Sequence, residues 1–331
     1  MSDYKPPFHI TDKIANLVAS ISEQIGRITV LSHGNLNPHL RRENRIKTIH
    51  SSLAIENNSL SLEQVTAILE GKRILASPNE IREVENAYKS YEMMLGLDPY
   101  SIEDLLKAHG IMMDFLIPES GHFRSGNVGV FDGDVVVHMA PPASFVPTQI
   151  KNLFNWYKTS ETHPLIKSAV FHYEFEFIHP FADGNGRMGR MWHSLLLGNW
   201  NEIFFWLPIE ELIRSRQHEY YNALTKADTE ADSSVFIEFI LEIILDTLQQ
   251  ISVVGDATIG EKATESSCIQ KLLNAIGDSE LSAKEIMDIL GLSHRASFRM
   301  HYLNPALERG LIIMTIPDKP NSKNQKYKKR T

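Results

Sequence analysis

The stretch Phe177-Ile178-His179-Pro180-Phe181-Ala182-Asp183-Gly184-Asn185-Gly186-Arg187-Met188-Gly189-Arg190 decides the reading of this chain. Pro180 and Gly184 disfavour a continuous helix from His179, so the segment reads as a loop feeding a helix that begins near Asn185 or Gly186. Gly-Asn-Gly lets successive backbone N–H groups converge, and the helix start adds four unpaired N–H groups and a partial positive end. That combination is an anion site. Arg187 and Arg190, three apart on the first turns, add fixed positive charge suited to a polyphosphate. Asp183 at the same mouth would be repelled by phosphates unless a hard cation intervened, which makes it a natural Mg²⁺ ligand. His179 can take a proton from an incoming hydroxyl near neutral pH.

Rival readings of the stretch fare worse. Gly184, Gly186 and Gly189 satisfy G-x-G-x-x-G, but no apolar strand precedes them and no βαβ repeat surrounds them. His179 and Asp183 have the spacing of half a zinc site, yet Pro180 spoils the helix that would align them and no third ligand lies nearby. A plain helix-capping loop leaves unexplained why His, Asp, a glycine nest and two arginines are gathered here. No P-loop pattern exists elsewhere to claim a nucleotide. Which phosphate would transfer stays open, because in-line attack at any phosphorus uses the same positioning and charge neutralisation.

Outward from this segment the chain is helical in period. DKIANLVASISEQI, ENRIKTIHSSLAIE, SLEQVTAILEGK and PNEIREVENAYKSYEMMLG fill the first ~95 residues, with Ser61 and Gln64 forming a capping box before the third. SIEDLLKAHGIMMDFL, PTQIKNLFNWYKTS, PLIKSAVFHYEFEFI and IEELIRSRQHEYYNALTKA are further helices. Between Val128 and Met139, β-branched residues flank Asp132-Gly133, which reads as a two-stranded hairpin that must pack on helices. The apolar run from Val235 to Leu248 carries Glu238, Glu242 and Asp246, which makes it a core helix and not a membrane span.

The 331 residues are 43% hydrophobic and 22% charged, ordinary globular composition. The single cysteine, Cys268, excludes an internal disulfide and a four-thiolate zinc site and suits a reducing compartment, so a cytoplasmic location is expected. The net charge of −8 argues against a particle built to coat nucleic acid or anionic lipid. Charge is nonetheless asymmetric: residues 268–331 carry 11 Lys+Arg against 6 Asp+Glu. There SAKEIMDIL, a Gly291-Leu292 turn and SHRASFRMHYLNPALERG read as helix-turn-helix, and LIIMTIPDKPNSKNQKYKK as a two-stranded wing. His294, Arg295, Ser297, Arg299 and His301 on the second helix would suit contact with DNA, and a protein contact is the alternative.

HPFADGNGRMGR resembles the signature H-x-F-x-[DE]-G-N-G-R-x-x-R of Fic-domain proteins at every fixed position. The resemblance implies AMP transfer from ATP, with Mg²⁺, to a Ser, Thr or Tyr hydroxyl of a target protein, with self-modification also open. It implies His179 as the general base, Asp183 as the Mg²⁺ ligand, and Gly184, Asn185, Gly186, Arg187 and Arg190 as the phosphate site, Arg190 at the γ-phosphate. Ser52 to Asn57, SLAIEN, is similar to the family's inhibitory [ST]-x-x-x-E-[GN] motif, which implies that Glu56 pairs with Arg190 in the γ-phosphate's place and that Ser52 belongs to the same device. By the same resemblance Val136, Val137, His138 and Met139 lie in a target-docking flap, and Tyr220 and Tyr221 line the adenine pocket. Asp228 falls where relatives can carry an asparagine near the nucleotide, and Phe123-Arg124 leads into the flap. Relatives often dimerise, so a homodimer is expected. Removal of AMP from the target, or a DNA-binding regulator whose core senses nucleotide, are the alternative functions.

The expected architecture is mainly α: an N-terminal helical region with the inhibitory motif (1–95), a Fic core with a β-hairpin flap (96–254), a linker (255–267) and a C-terminal winged helix-turn-helix domain (268–331).

Overall fold

The computed structural model describes residues 4–31, 38–132, 135–277, 279–292, 295–319, 322 and 325–330. The chain divides into two compact units, Met1–Ile251 and Ser252–Thr331. The first unit opens with α1 (Asp12–Leu31), α2 (Pro38–Ile55), α3 (Leu62–Leu69), α4 (Pro78–Met93) and α5 (Ile102–Met112). Strands β1 (Gly129–Asp132) and β2 (Val135–Met139) pair antiparallel, with a bulge between Val130 and Phe131. Gly133 of the expected turn lies outside the described residues, as does His294; the expectations for Val136, Val137, Ser297 and His301 concern side chains outside the described set. There follow α6 (Val146–Thr159), α7 (Pro164–Ile178), α8 (Asn185–Trp200), α9 (Ile209–Ser215), α10 (Gln217–Glu230) and α11 (Ser234–Ile276).

Helices α7 and α8 pack against each other at the centre of this unit. Both are buried almost all round, from Leu165 to Ile178 and from Asn185 to Gly198; α8 takes Asn185, Arg187, Arg190, His193 and Ser194 into the interior with its apolar residues, polar groups that need partners there. One apolar core runs from Ile14 to Leu248, so the segments 1–95 and 96–254 share a core and do not form two. The segment Ser52–Asn57 therefore spans the end of α2 and the turn after it, on a helix fixed to the same core as the signature. α2 stops where Asn57 turns left-handed at φ 68°. Asn58 Oδ1 then accepts from Leu60 N, and the Ser61–Gln64 capping box starts α3.

Three expectations need correction. The helix expected over 209–227 is two, α9 and α10, because Arg216 leaves helical geometry as its side chain reaches Glu219, Glu242 and Asp246. The linker expected at 255–267 is helical, part of α11: its Ala, Glu, Lys and Ile residues favour helix by enough to absorb two glycines at about 1 kcal/mol each. In the second unit, α12 (Ala283–Ile289) is followed by α13 (Arg295–Phe298), a π-helical turn (Arg299–Leu303) and α14 (Asn304–Glu308), where one uninterrupted helix was expected. Pro305 has no N–H to give and its ring crowds the carbonyl four residues back, so the turn widens and Asn304 N–H bonds to Arg299 O.

Strands β3 (Leu281–Ser282), β4 (Ile312–Met314) and β5 (Lys326–Lys329) form an antiparallel sheet in the order β3-β5-β4. It covers a small core of its own that includes Leu272, Ile286, Phe298, Leu303 and Tyr327. Among the described residues no helix is long and apolar enough to cross a membrane.

Candidate active site

The signature segment joins α7 to α8, and its backbone is held in shape from several sides. His179 caps α7 in a left-handed conformation, φ 50°, ψ 62°, which turns the chain sharply off the helix axis. Asn185 is buried and clamps the loop through both amide atoms: its Nδ2 donates to Phe181 O and its Oδ1 accepts from Phe181 N, each at 2.9 Å. The side chain of Asn185 is thus spent on the loop, which leaves its backbone for a phosphate. Gly184 sits at φ 82°, and a Cβ there would meet Met113 Sδ at 2.6 Å, so glycine is needed for both conformation and space.

Support for this loop comes from His109, which no sequence pattern marks, and from Arg124 of the lead-in to the hairpin. His109 on α5 accepts from Gly121 N through Nδ1 at 2.9 Å and bonds Asp183 O through Nε2 at 3.0 Å, while its ring stacks on Phe181. A carbonyl can only accept, so the Nε2–H tautomer is fixed and the ring is neutral. Burial likewise pushes its pKa down to about 4. Arg124 donates through Nε to His179 O at 2.7 Å and through Nη1 to Gly126 O at 2.9 Å, tying the lead-in of the hairpin to the turn at His179.

The two arginines are occupied by carboxylates. Arg190, 2% exposed, donates through Nη2 to Glu56 Oε1 at 2.7 Å and to Ser52 O at 3.0 Å, and through Nε to Ser52 Oγ at 3.2 Å. Burial works against its charge, but Glu56 overrides this and holds its pKa above the ordinary guanidinium value. Glu56 does more than pair. A Cβ on Gly186 would run into Glu56 Oε1, which places the carboxylate directly over the first turn of α8. An acid parked at a helix N-terminus beside a buried arginine occupies the place prepared for an anion. Arg187 is likewise buried and lies 3.3 Å from Glu83 Oε1 and from Asp183 Oδ1. Glu83, on α4, also accepts from Asn58 Nδ2 at 2.7 Å, a second tie between the turn after Glu56 and the signature segment. Nothing local in the sequence marks Glu83; only packing of α4 brings it here.

Glu56 and Arg190 border a cavity of about 560 Å³ lined also by Glu176, His179, Gly186, Tyr221 and others, whereas Asp183, Arg187 and Glu83 lie outside its lining. His179 Nδ1 is 3.3 Å from Glu176 O, so Nδ1 carries the hydrogen and Nε2 keeps its lone pair. Burial lowers the His179 pKa, which favours this neutral, basic form. Burial pushes the Glu176 carboxyl the other way, up to about 7.

The aromatic pair divides its labour. Tyr220 is 1% exposed, with its hydroxyl 3.2 Å from His172 Nε2, whereas Tyr221 is 43% exposed. Met139 is exposed, and His138 is mostly buried and bonded. Asp183 is more than half exposed at the mouth of the site. Among the described residues no three His, Cys, Asp or Glu side chains gather into a metal cage. A single accessible carboxylate fits Mg²⁺ shared with phosphate oxygens, since that ion keeps most of its waters.

Comparison with known proteins agrees with this geometry. The Fic/DOC family profile matches residues 99–197, and that of the "Filamentation induced by cAMP protein Fic-like, C-terminal domain" matches residues 267–329. A crystal structure of a Fic family protein from Desulfovibrio desulfuricans G20 is 50% identical, covers 99% of this chain and 98% of its own, and superposes with a TM-score of 0.75. Fic-1 from Caenorhabditis elegans (residues 134–508), at 22% identity and TM-score 0.59 over 74% of this chain and 72% of its own, shares the fold. Among curated proteins, "Protein adenylyltransferase fic-1" of C. elegans is 27% identical over 81% of this chain and 51% of its own length. "Protein adenylyltransferase Fic" of Culex quinquefasciatus is 30% identical over 62% of this chain and 41% of its own length. The chain spans about half the length of the curated relatives it matches.

Proposed function

The chain belongs to the Fic family, and from that premise we propose that it is a protein adenylyltransferase that moves AMP from Mg·ATP to a hydroxyl side chain of a target protein, restrained by Glu56. The observation that carries this reading is the meeting, in one cavity, of a neutral His179, the N-terminus of α8 and the buried Arg190.

In this account the polyphosphate lies on the backbone N–H groups around Gly184, Asn185 and Gly186, with Arg190 at the terminal phosphate and Arg187 beside it. Asp183 would hold Mg²⁺, which when bound neutralises phosphate charge. His179 Nε2 takes the proton of the attacking hydroxyl. The target oxygen bonds to the α-phosphorus as the bond to the bridging oxygen of the β-phosphate breaks, and pyrophosphate leaves with that electron pair. Tyr221 offers an aromatic wall for the base, with Tyr220 backing it from the core. The hairpin presents the target as an added strand beside His179.

Glu56 restrains the reaction by competition. Its carboxylate and the terminal phosphate want the same guanidinium and the same helix N-terminus, so ATP either displaces Glu56 or binds with its phosphates out of line. Support for this reading comes from the contact of Glu56 with both Arg190 and the space over Gly186.

The test uses intact-protein and peptide mass spectrometry after incubation of the Glu56→Gly chain, alone and with lysate, in ATP and Mg²⁺, against the same chain carrying His179→Ala. Transfer of AMP in the first and none in the second, with ATP still bound by calorimetry, is the expected result. Equal transfer by both would remove His179 as the base.

A further inference from the structure

On strand β2 the side chain of His138 is bonded to two helices of the core. His138 Nδ1 lies 2.7 Å from Asp228 Oδ2 on α10, and its Nε2 lies 2.8 Å from Phe177 O on α7. The Phe177 carbonyl can only accept, so Nε2 carries a hydrogen; the Asp228 carboxylate accepts from Nδ1, so Nδ1 carries one too. With both nitrogens donating, the ring is an imidazolium. Asp228 is fixed in turn, since its Oδ1 accepts from Tyr173 OH at 2.8 Å. Phe177 is two residues from His179, and its ring flanks that of His138.

We propose that His138 and Asp228 form a proton-dependent clamp that sets the hairpin in register beside His179, which makes both positioning residues for target presentation. What the hairpin presents rests on the adenylyltransferase reading; the clamp itself does not. Arg124 binds the base of the hairpin from its own side through a group that stays charged at all accessible pH. The His138 contact is different, because loss of its proton removes one of two donors and the charge that Asp228 faces.

The ionisable groups that bear on His138 are Asp228 on α10, Glu176 on α7, and His179 at the end of α7. Burial lowers the His138 pKa, but the hydrogen bonds to Asp228 and Phe177 O and the nearby carboxylates outweigh it, and the balance is upward. Asp228 counts for more than Glu176, whose carboxyl burial pushes up to about 7, so the Asp228 bond decides the direction. Asp228 thereby has a use that does not involve the nucleotide: it is already committed to His138 and Tyr173.

Hydrogen exchange of peptides spanning residues 128–142, in the full chain without nucleotide, tests the clamp. The chains compared are wild type, His138→Gln, Asp228→Asn and the double variant, from pH 6 to 9 with exchange corrected for its intrinsic pH dependence. Each single variant is expected to speed exchange of β2 at pH 6 by about tenfold while α8 stays protected, and the double variant by no more than either single. Wild type is expected to lose its extra protection as pH rises through the His138 pKa, and both variants to show a flat profile. Equal protection in all four chains, or a double effect equal to the product of the singles, overturns the clamp. A His138 ring seen as a neutral tautomer at pH 6 by ¹⁵N resonance does the same. A Glu56→Gly chain that fails to transfer AMP while the exchange pattern is as expected refutes the adenylyltransferase reading and leaves the clamp standing.

Discussion

The carboxylate of Glu56 touches Arg190 Nη2 at 2.7 Å and at the same time fills the space left by the missing side chain of Gly186. A single residue just past the end of α2 thus meets both halves of an anion site built by α8. Charge-assisted bonds to a buried guanidinium are among the stronger polar contacts, so whatever replaces Glu56 must offer comparable charge in the same place. The terminal phosphate of a nucleotide does.

Ser52 holds the other side of that guanidinium. In Ser52→Ala, Arg190 Nε loses its acceptor at a buried position, and stability is expected to fall by about 1–3 kcal/mol. Urea denaturation at neutral pH checks this; an unchanged midpoint would mean that Arg190 finds another partner.

Gly184 is constrained twice, by φ 82° and by Met113. Gly184→Ala is expected to cost about 2–4 kcal/mol, combining the penalty for a left-handed alanine with that for overpacking. Adding Met113→Ala removes the overpacking part only. A double-mutant cycle by chemical denaturation should therefore show a coupling between the two sites; strict additivity would mean that Met113 does not crowd Gly184.

His109 gives the native state an acid sensitivity. Its folded pKa, about 4, lies below its ordinary 6.5, so the unfolded chain binds more protons between these values. Its contribution is complete above about pH 6.5 and is lost as pH falls toward 4, a change on the order of 3 kcal/mol. Urea midpoints from pH 7.5 to 4 in wild type and His109→Gln measure it. The variant should be flatter with pH, and parallel curves would contradict the assignment.

The rate of AMP transfer should follow the neutral form of His179. Because burial lowers its pKa, the acid limb of the rate profile is expected below pH 6.5, with full activity at pH 7 and above. The Glu56→Gly chain allows the profile to be measured without Glu56 in the site. An acid limb centred above 7 would point to a different base.

The parts of the site that were legible in the sequence are those written in backbone chemistry. Pro180, Gly184 and Gly186 announce a turn and a helix start wherever they occur, and two arginines three apart on a helix share a face. Ser52 and Glu56 were legible only through their likeness to a family motif, since a lone helix glutamate is ordinarily solvated. Glu83 and His109 were not legible at all, and Arg124 only through its likeness to the family's lead-in to the flap. Each is a single polar residue whose partner is set by packing across long stretches of chain, 104 residues apart for Glu83 and Arg187 and 74 for His109 and Asp183. Asp228 was visible as a position but its partners, His138 and Tyr173, were not, because the pairing depends on where the hairpin lands. At 255–267 small and polar residues looked like a linker, yet helix propensity summed over the segment outweighs its two glycines.

The central claim is that Glu56 holds the anion site against ATP, and the most direct measurement compares wild type with Glu56→Gly under identical ATP and Mg²⁺ by quantitative mass spectrometry of AMP-bearing peptides, on the protein itself and on lysate proteins. The account predicts at least a tenfold gain in the Glu56→Gly chain, as expected when about 1.4 kcal/mol or more of competing interaction is removed. Equal modification by the two chains would contradict it.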